Sequence, residues 1–281
     1  MARQASFDRA SRWATSLPPT LFLLLFIVGP ACIMLLASFR EPGEFGGLAP
    51  IVLAGRPNLT LDAYRFLFGD FIYAYLFFKS LLVALLTTLS CLVLAYPLAW
   101  FIARSPKRRR DLLVLLVILP FASNFLIRIY AWIILLGPLD LLFTPWAVLV
   151  GMVYVNLPFM VLPLYVNLEG HDPALLEAAR DLGANGWTRF WRVTFPLSLP
   201  GVLAGSALVF IPVFGMFAVP ELLGGTGDIL IANLIKQQFL ENRDWPLGSA
   251  LSVMLTLAVL ACTGLSALAA RRGRRIPEGA P

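Results

Sequence analysis

The chain has 281 residues, 59% of them hydrophobic and 14% charged, with a mean hydropathy of +0.81. A soluble domain is about 45–50% apolar and about 25% charged, so a cytosolic enzyme, a secreted disulfide scaffold and a disordered chain are set aside in favour of a polytopic α-helical membrane protein. The net charge of +6 calls for no nucleic-acid partner, because its distribution along the chain is that of membrane loops.

In chain order, the gaps between charges mark the spans. A spanning helix needs about 20 mostly apolar residues. Six stretches meet this: 18–39, 77–103, 112–136, 146–168, 198–219 and 248–270. The first is too long for the apolar core of a signal peptide, about 7–15 residues. Gly29-Pro30-Ala31-Cys32 is a poor lipoprotein cleavage site, with Gly29 where a leucine is wanted, and the segment reads as an uncleaved helix. The third span is interrupted by Arg128. A charge there is costly unless it faces water or a partner. Arg128 is therefore either a lining residue of a translocation cavity or a structural arginine near the outer helix end, snorkelling or bonding carbonyls. Cys32, Cys91 and Cys262 lie in apolar runs without metal-ligand spacing and read as small core residues. His171, the single histidine, has no second one to share a metal and reads as a surface loop residue. No metal site is expected.

Segments 1–17, 104–111, 169–192 and 271–281 carry 15 of the 22 basic residues, including the run Lys107-Arg108-Arg109-Arg110. The opposite loops, 40–79, 137–145 and 221–244, carry six: Arg40, Arg56, Arg65, Lys79, Lys236 and Arg243. The positive-inside rule puts the first set in the cytoplasm. The expected layout is a cytoplasmic segment 1–17, an all-α membrane domain 18–270 of six helices, and a cytoplasmic basic tail 271–281.

The loop between spans four and five, 169–196, is the most informative. Asp172 suits a helix cap, Pro173 the first helical position, and Gly183 the left-handed position beyond the end. The helix between them puts Leu175, Leu176, Ala179 and Leu182 on one face and Glu177, Arg180 and Asp181 on another. Asn185-Gly186 makes a break, and a second short helix, 187–195, is expected to run to Pro196. A capped helix with an apolar face and no soluble core of its own implies a partner.

This loop resembles the EAA loop of ABC-importer permeases: Glu-Ala-Ala, three residues, Gly, nine residues, Ile, any residue, Leu, Pro. Here Glu177, Ala178, Ala179, Gly183, Val193, Phe195 and Pro196 stand at those spacings, with Val for Ile and Phe for Leu. The resemblance implies the type I ABC-importer permease fold in a bacterial inner membrane. It also implies that the loop docks into a groove of a separate ATP-binding subunit, with Glu177, Ala178, Ala179, Gly183, Val193 and Pro196 as coupling residues. Close packing would use Ala178 and Ala179, and the sharp turn would use Gly183. No G-x-x-x-x-G-K-[ST] sequence occurs, so ATP is expected on another chain and no cofactor on this one. "LLGGTGDIL" is glycine-rich like a phosphate loop but lacks the lysine.

Longer stretches, "YPLAWFIARSP" (96–106), "LPFASNFLIRIYAW" (119–132), "VGMVYVNLPFMVLPLY" (150–165), "PELLGG" (220–225) and "NRDWPLGSA" (242–250), are similar to permeases for spermidine and putrescine uptake. This similarity, over most of residues 80–260, implies a second homologous permease and an extracytoplasmic solute-binding protein as partners, besides the lipid bilayer. One departure is the connection "GPLDLLFTPW" between spans three and four, which is short for that family. For a polyamine path the candidates are Arg128, Glu221, Asp244 and Trp245. Arg128 is expected to take no direct part in binding a cation. The outer segment 221–246 also holds Asp228, Glu241 and Phe239 against Lys236 and Arg243. It either presents carboxylates and aromatic faces to an ammonium chain or forms a solvated loop facing a binding protein.

Three other readings stay open. An ABC permease for an inorganic anion, iron or thiamine would have the same EAA loop. A secondary transporter is expected to bury several ionisable residues and to show internal repeats, and here only Arg128 clearly interrupts a span. An intramembrane enzyme of rhomboid or zinc type needs a histidine within a span, and His171 lies in the loop. No catalytic residue is expected.

Overall fold

A computed structural model describes residues 17–50, 52–53 and 56–273. Most of the expected cytoplasmic segment 1–17 and the tail beyond Gly273 lie outside the described residues. The described chain is helical apart from a two-residue antiparallel pair, β1 (Val52–Leu53) with β2 (Arg56–Pro57), and a single bridge between Pro42 and Leu48. Its helices are α1 (Leu17–Ala37), α2 (Asp62–Gly69), α3 (Phe71–Ala103), α4 (Lys107–Ile118), α5 (Phe125–Leu136), α6 (Pro145–Glu169), α7 (Pro173–Asp181), α8 (Gly186–Phe214), α9 (Ala218–Leu223), α10 (Ile231–Leu240) and α11 (Trp245–Gly273).

Among the described residues, five helices are long and apolar enough to cross a membrane: α1, α3, α6, α8 and α11. The remaining expected span, the third, 112–136, is not one straight helix. Helix α4, extended by a 3₁₀ turn to Ala122, meets α5 at a bend of 93°. Pro120 tightens the turn, Ser123 is extended, and Asn124 restarts the helix by accepting a bond from the Leu126 amide at 2.8 Å. The break therefore follows from a proline and a capping residue within the apolar run.

Two compact units are discernible, the first comprising residues up to Phe71 with Ile235–Thr256. In it α1 has almost no protein neighbours, and every side chain from Leu21 to Val28 is 45–68% exposed, as suits a helix clothed by lipid. Beyond it, Ser38 Oγ meets Tyr64 Oη at 2.8 Å and the Phe39 and Tyr64 rings lie 5.2 Å apart. The Gly47 amide bonds the Arg243 carbonyl at 2.8 Å.

The second unit, Ile72–Leu234 with Leu257–Pro281, holds the tightest helix pair, α6 against α8. Within lipid, apolar side chains gain little by leaving one apolar solvent for another, so tight helix pairs depend on close fit. Gly201 and Gly205, four apart on α8, supply it. A Cβ built on Gly201 would stand 2.7 Å from Asn167 Cβ, and one on Gly205 2.7 Å from Met160 Sδ. Along α3 the buried positions Ser80, Ala84, Thr87, Cys91, Ala95 and Ala99 form a stripe of small side chains that faces the same core. The Cys91 thiol reaches the Val153 carbonyl of α6 at 3.7 Å.

The second short helix, expected to stop at Pro196, instead runs on into span five as α8. A π turn over Phe190–Thr194 makes this possible, with the Phe195 amide bonding the carbonyl of Phe190, five residues back. Widening the turn makes room for a proline ring that would collide with an ordinary helical carbonyl. The same device sits in α1, where Gly29 bonds Leu24 just before Pro30.

Candidate coupling surface and membrane-path residues

The loop before span five is built from local hydrogen bonds. Asp172 Oδ1 accepts from the Ala174 amide at 2.9 Å, and Pro173 takes the first turn of α7. The helix ends in a Schellman turn: the Ala184 amide bonds Ala179 O at 3.0 Å and the Gly183 amide bonds Arg180 O at 2.9 Å. Gly183 carries φ +80°, and a Cβ built there meets nothing within 4 Å. The glycine is thus required by the backbone conformation and not by crowding. Asn185 then caps α8 by accepting from the Thr188 amide at 2.8 Å.

Glu177, Ala178 and Gly183 are exposed and Ala179 is half-buried. Of the four residues expected on one apolar face, Leu176 and Ala179 turn partly inward, while Leu175 is 48% and Leu182 88% exposed. Trp187 and Trp191 extend this exposed apolar surface at 72% and 47%. Val193 lies in the π turn and Pro196 in the first turn after it, so both serve the connection to span five.

An aromatic cluster, of which only Phe195 belongs to the motif, ties the loop to the membrane helices. Trp191 packs at 5.2 Å from both Phe190 and Phe195, and Phe190 lies 5.4 Å from Tyr96 of α3. The Tyr96 hydroxyl meets Ser198 Oγ of α8 at 2.8 Å, with both residues buried. Displacement of the loop would therefore be passed to α3 and α8 through rigid rings. The spacing of Trp187, Phe190, Trp191 and Phe195, three or four apart, is a stripe visible in the sequence; Tyr96 and Ser198 carry no such local signal. Nearby, Arg110 of α4 and Glu169 at the end of α6 form an ion pair at 2.6 Å. His171, expected at the surface, is half-buried with Nε2 unbonded and lines a cavity beside the loop.

The path candidates divide between the two units. Arg128, in α5 just past the bend, is 9% exposed. Its guanidinium carbon lies 5.4 Å from the centre of the Phe121 ring, and its Nε is buried without a hydrogen-bond partner. It is packed against the protein rather than extended along the helix surface. Glu221 is exposed on α9, in the same unit. In the other unit Asp244 caps α11, accepting from the Leu247 amide at 3.1 Å, and Trp245, the first residue of that helix, is 46% exposed. Asp228 likewise bonds its own turn, accepting from the Gly225 amide at 3.0 Å. The short connection after α5 is folded, with Asp140 and Phe143 left-handed, the Phe143 amide bonded to Leu223 O at 3.0 Å, and Thr144 capping α6.

Comparison with known proteins places this geometry. Residues 95–275 match the family described as "Binding-protein-dependent transport system inner membrane component". The spermidine/putrescine transport system permease protein PotB of Escherichia coli (strain K12) is 43% identical over 257 residues, covering 85% of this chain and 90% of that one. Its counterpart in Haemophilus influenzae (strain ATCC 51907 / DSM 11121 / KW20 / Rd) is 40% identical over 255 residues, covering 84% and 86%. Among solved structures, a chain of a bacterial alginate ABC transporter in complex with its alginate pentasaccharide-bound periplasmic protein superposes with a TM-score of 0.76 at 16% identity, covering 97% and 98%. That likeness supports the fold, as expected from the sequence. The chain belongs to the binding-protein-dependent transport family and is a multi-pass inner-membrane permease.

Proposed function

We propose that this chain is the non-catalytic permease subunit of an ABC importer for polyamines such as spermidine and putrescine. It forms the translocation path with a second, homologous permease, receives its solute from an extracytoplasmic binding protein, and takes its driving motion from a separate ATPase subunit docked on the loop 169–196. The observation that carries the solute assignment is the 43% identity with a spermidine/putrescine permease along 85% of the chain. The coupling role is supported by the EAA spacing on a capped helix that exposes Leu175 and, just past its end, Leu182 beside the charged Glu177, Arg180 and Asp181. Charge asymmetry of the loops supports both termini in the cytoplasm.

Reconstitution tests the solute. The complete complex in proteoliposomes, with binding protein and ATP, is expected to accumulate spermidine or putrescine, and the purified chain alone to hydrolyse no ATP. Buried Arg128, with no carboxylate paired to it among the described residues, favours a second reading, uptake of an inorganic anion. Accumulation of sulfate without any polyamine would establish that reading instead. Topology is tested by introduced cysteines. Labelling at positions 57 and 225 is expected from outside, and at 108 and 273 only after permeabilisation. Outside labelling at 108 would overturn the orientation.

A further inference from the structure

At the loop end of α3 and α6 lies a cavity of about 1410 Å³. Three guanidinium groups line it, those of Arg104, Arg180 and Arg189. None of the three makes an ion pair among the described residues. Of the two carboxylates on its wall, Glu169 is engaged by Arg110 at 2.6 Å, which leaves Glu177 against three arginines. Arg189 Nε and His171 Nε2 are buried with no hydrogen-bond partner. A guanidinium N–H such as that at Arg189 Nε, withheld from water without an acceptor, is costly, so with Arg104 and Arg180 beside it the cavity is suited to an anion that accepts several hydrogen bonds.

The remaining wall says which anion. Val93, Trp100 and Phe101 are 64%, 38% and 58% exposed and belong to a membrane span. Arg104 lies over the Trp100 ring, 4.3 Å from its centre, an arrangement suited to the boundary between headgroups and hydrocarbon. A free anion has no use for an apolar flank open to the bilayer, whereas a phospholipid presents phosphate and acyl chain side by side. We propose that this cavity holds the phosphate headgroup of an anionic membrane phospholipid, bound by Arg104 and Arg189 with its chains along α3. Seated there, the lipid bridges the coupling loop and span two. The proposal is independent of which solute the importer carries.

The test is native mass spectrometry of the full chain, alone and in its importer complex, with dioleoyl-phosphatidylglycerol against dioleoyl-phosphatidylcholine. Preferential retention of phosphatidylglycerol is expected in both preparations. Replacing both arginines (Arg104→Gln with Arg189→Gln) should lower that preference about tenfold, while Arg104→Lys with Arg189→Lys keeps most of it. The pair Arg108→Gln with Arg109→Gln, outside the cavity, should leave it unchanged. Equal retention of the two lipids would overturn the proposal, as would an equal loss from the 108/109 pair. Displacement of the lipid by millimolar inorganic phosphate would assign the cavity to a free anion. Loss of the lipid on assembly with the ATPase subunit would assign it to that partner.

Discussion

The loop 169–196 and the outer segment 221–246 both attract attention in the sequence, and they differ in what their polar residues do. In the loop, Asp172, Asn185 and Gly183 shape the backbone, leaving Leu182, Trp187 and Trp191 exposed as an apolar surface. In the outer segment, Asp228 and Asp244 shape the backbone too, although their charge first suggests contact with a cation. A carboxylate at a helix start is accounted for by capping before it is available to a ligand. The loop thus has geometry and an exposed surface suited to docking, while the outer segment has a structural duty for two of its acids.

Several substitutions break or sharpen that contrast. The largest effect is expected at Gly183. A β-branched residue at φ +80° is strained by about 1–2 kcal/mol or more, so Gly183→Val should abolish solute uptake in vesicles while the protein still inserts. Gly183→Asn, which tolerates the left-handed region and meets no neighbour there, should retain most uptake. Equal loss from both would mean that a side chain on the docking face, not the turn, is harmful. Next in size is Gly205→Ala, which forces Met160 Sδ aside from 2.7 Å. It should cost roughly 1–3 kcal/mol, read as a lower melting temperature in detergent.

Smaller effects are expected where one hydrogen bond is lost. Tyr96→Phe removes the bond to Ser198 but keeps the ring against Phe190, so stability should fall by about 1 kcal/mol with coupling retained. Tyr96→Leu should also raise ATP hydrolysis per solute transported. At Asp244 the cap and the charge can be separated. Asp244→Ala should cost about 1 kcal/mol, and Asp244→Asn should leave stability unchanged. A fall in maximal polyamine uptake by Asp244→Asn, at unchanged half-saturating concentration, would give the acid a path role beyond capping. Least of all, Glu169→Gln should cost under about 1 kcal/mol, because its pair with Arg110 is partly exposed.

What was legible in the sequence was what local chemistry decides. The helix cap at Asp172, the left-handed Gly183, the break at Asn185 and five of the spans all follow from neighbouring residues. Pro196 was legible as a proline but misread as a stop, because a π turn upstream lets the helix continue through it. The bend in span three had its signal in Pro120 and Asn124, masked by the apolar run on both sides. Tyr96 and Ser198 lie 102 residues apart in the chain, and no periodicity within either helix tells that they meet. Arg128 stood out at once as a charge in a span, but its seat on Phe121 depends on the bend that brings the ring beneath it.

The central claim, that the ATPase subunit docks on this loop and not on the outer segment, is tested most directly by cross-linking in the assembled importer. A cysteine at the exposed position 178 (Ala178→Cys) should cross-link to the ATPase subunit through a short bifunctional reagent, and one at position 245 (Trp245→Cys) should not. Absence of the cross-link at 178, or its appearance at 245, would contradict the account.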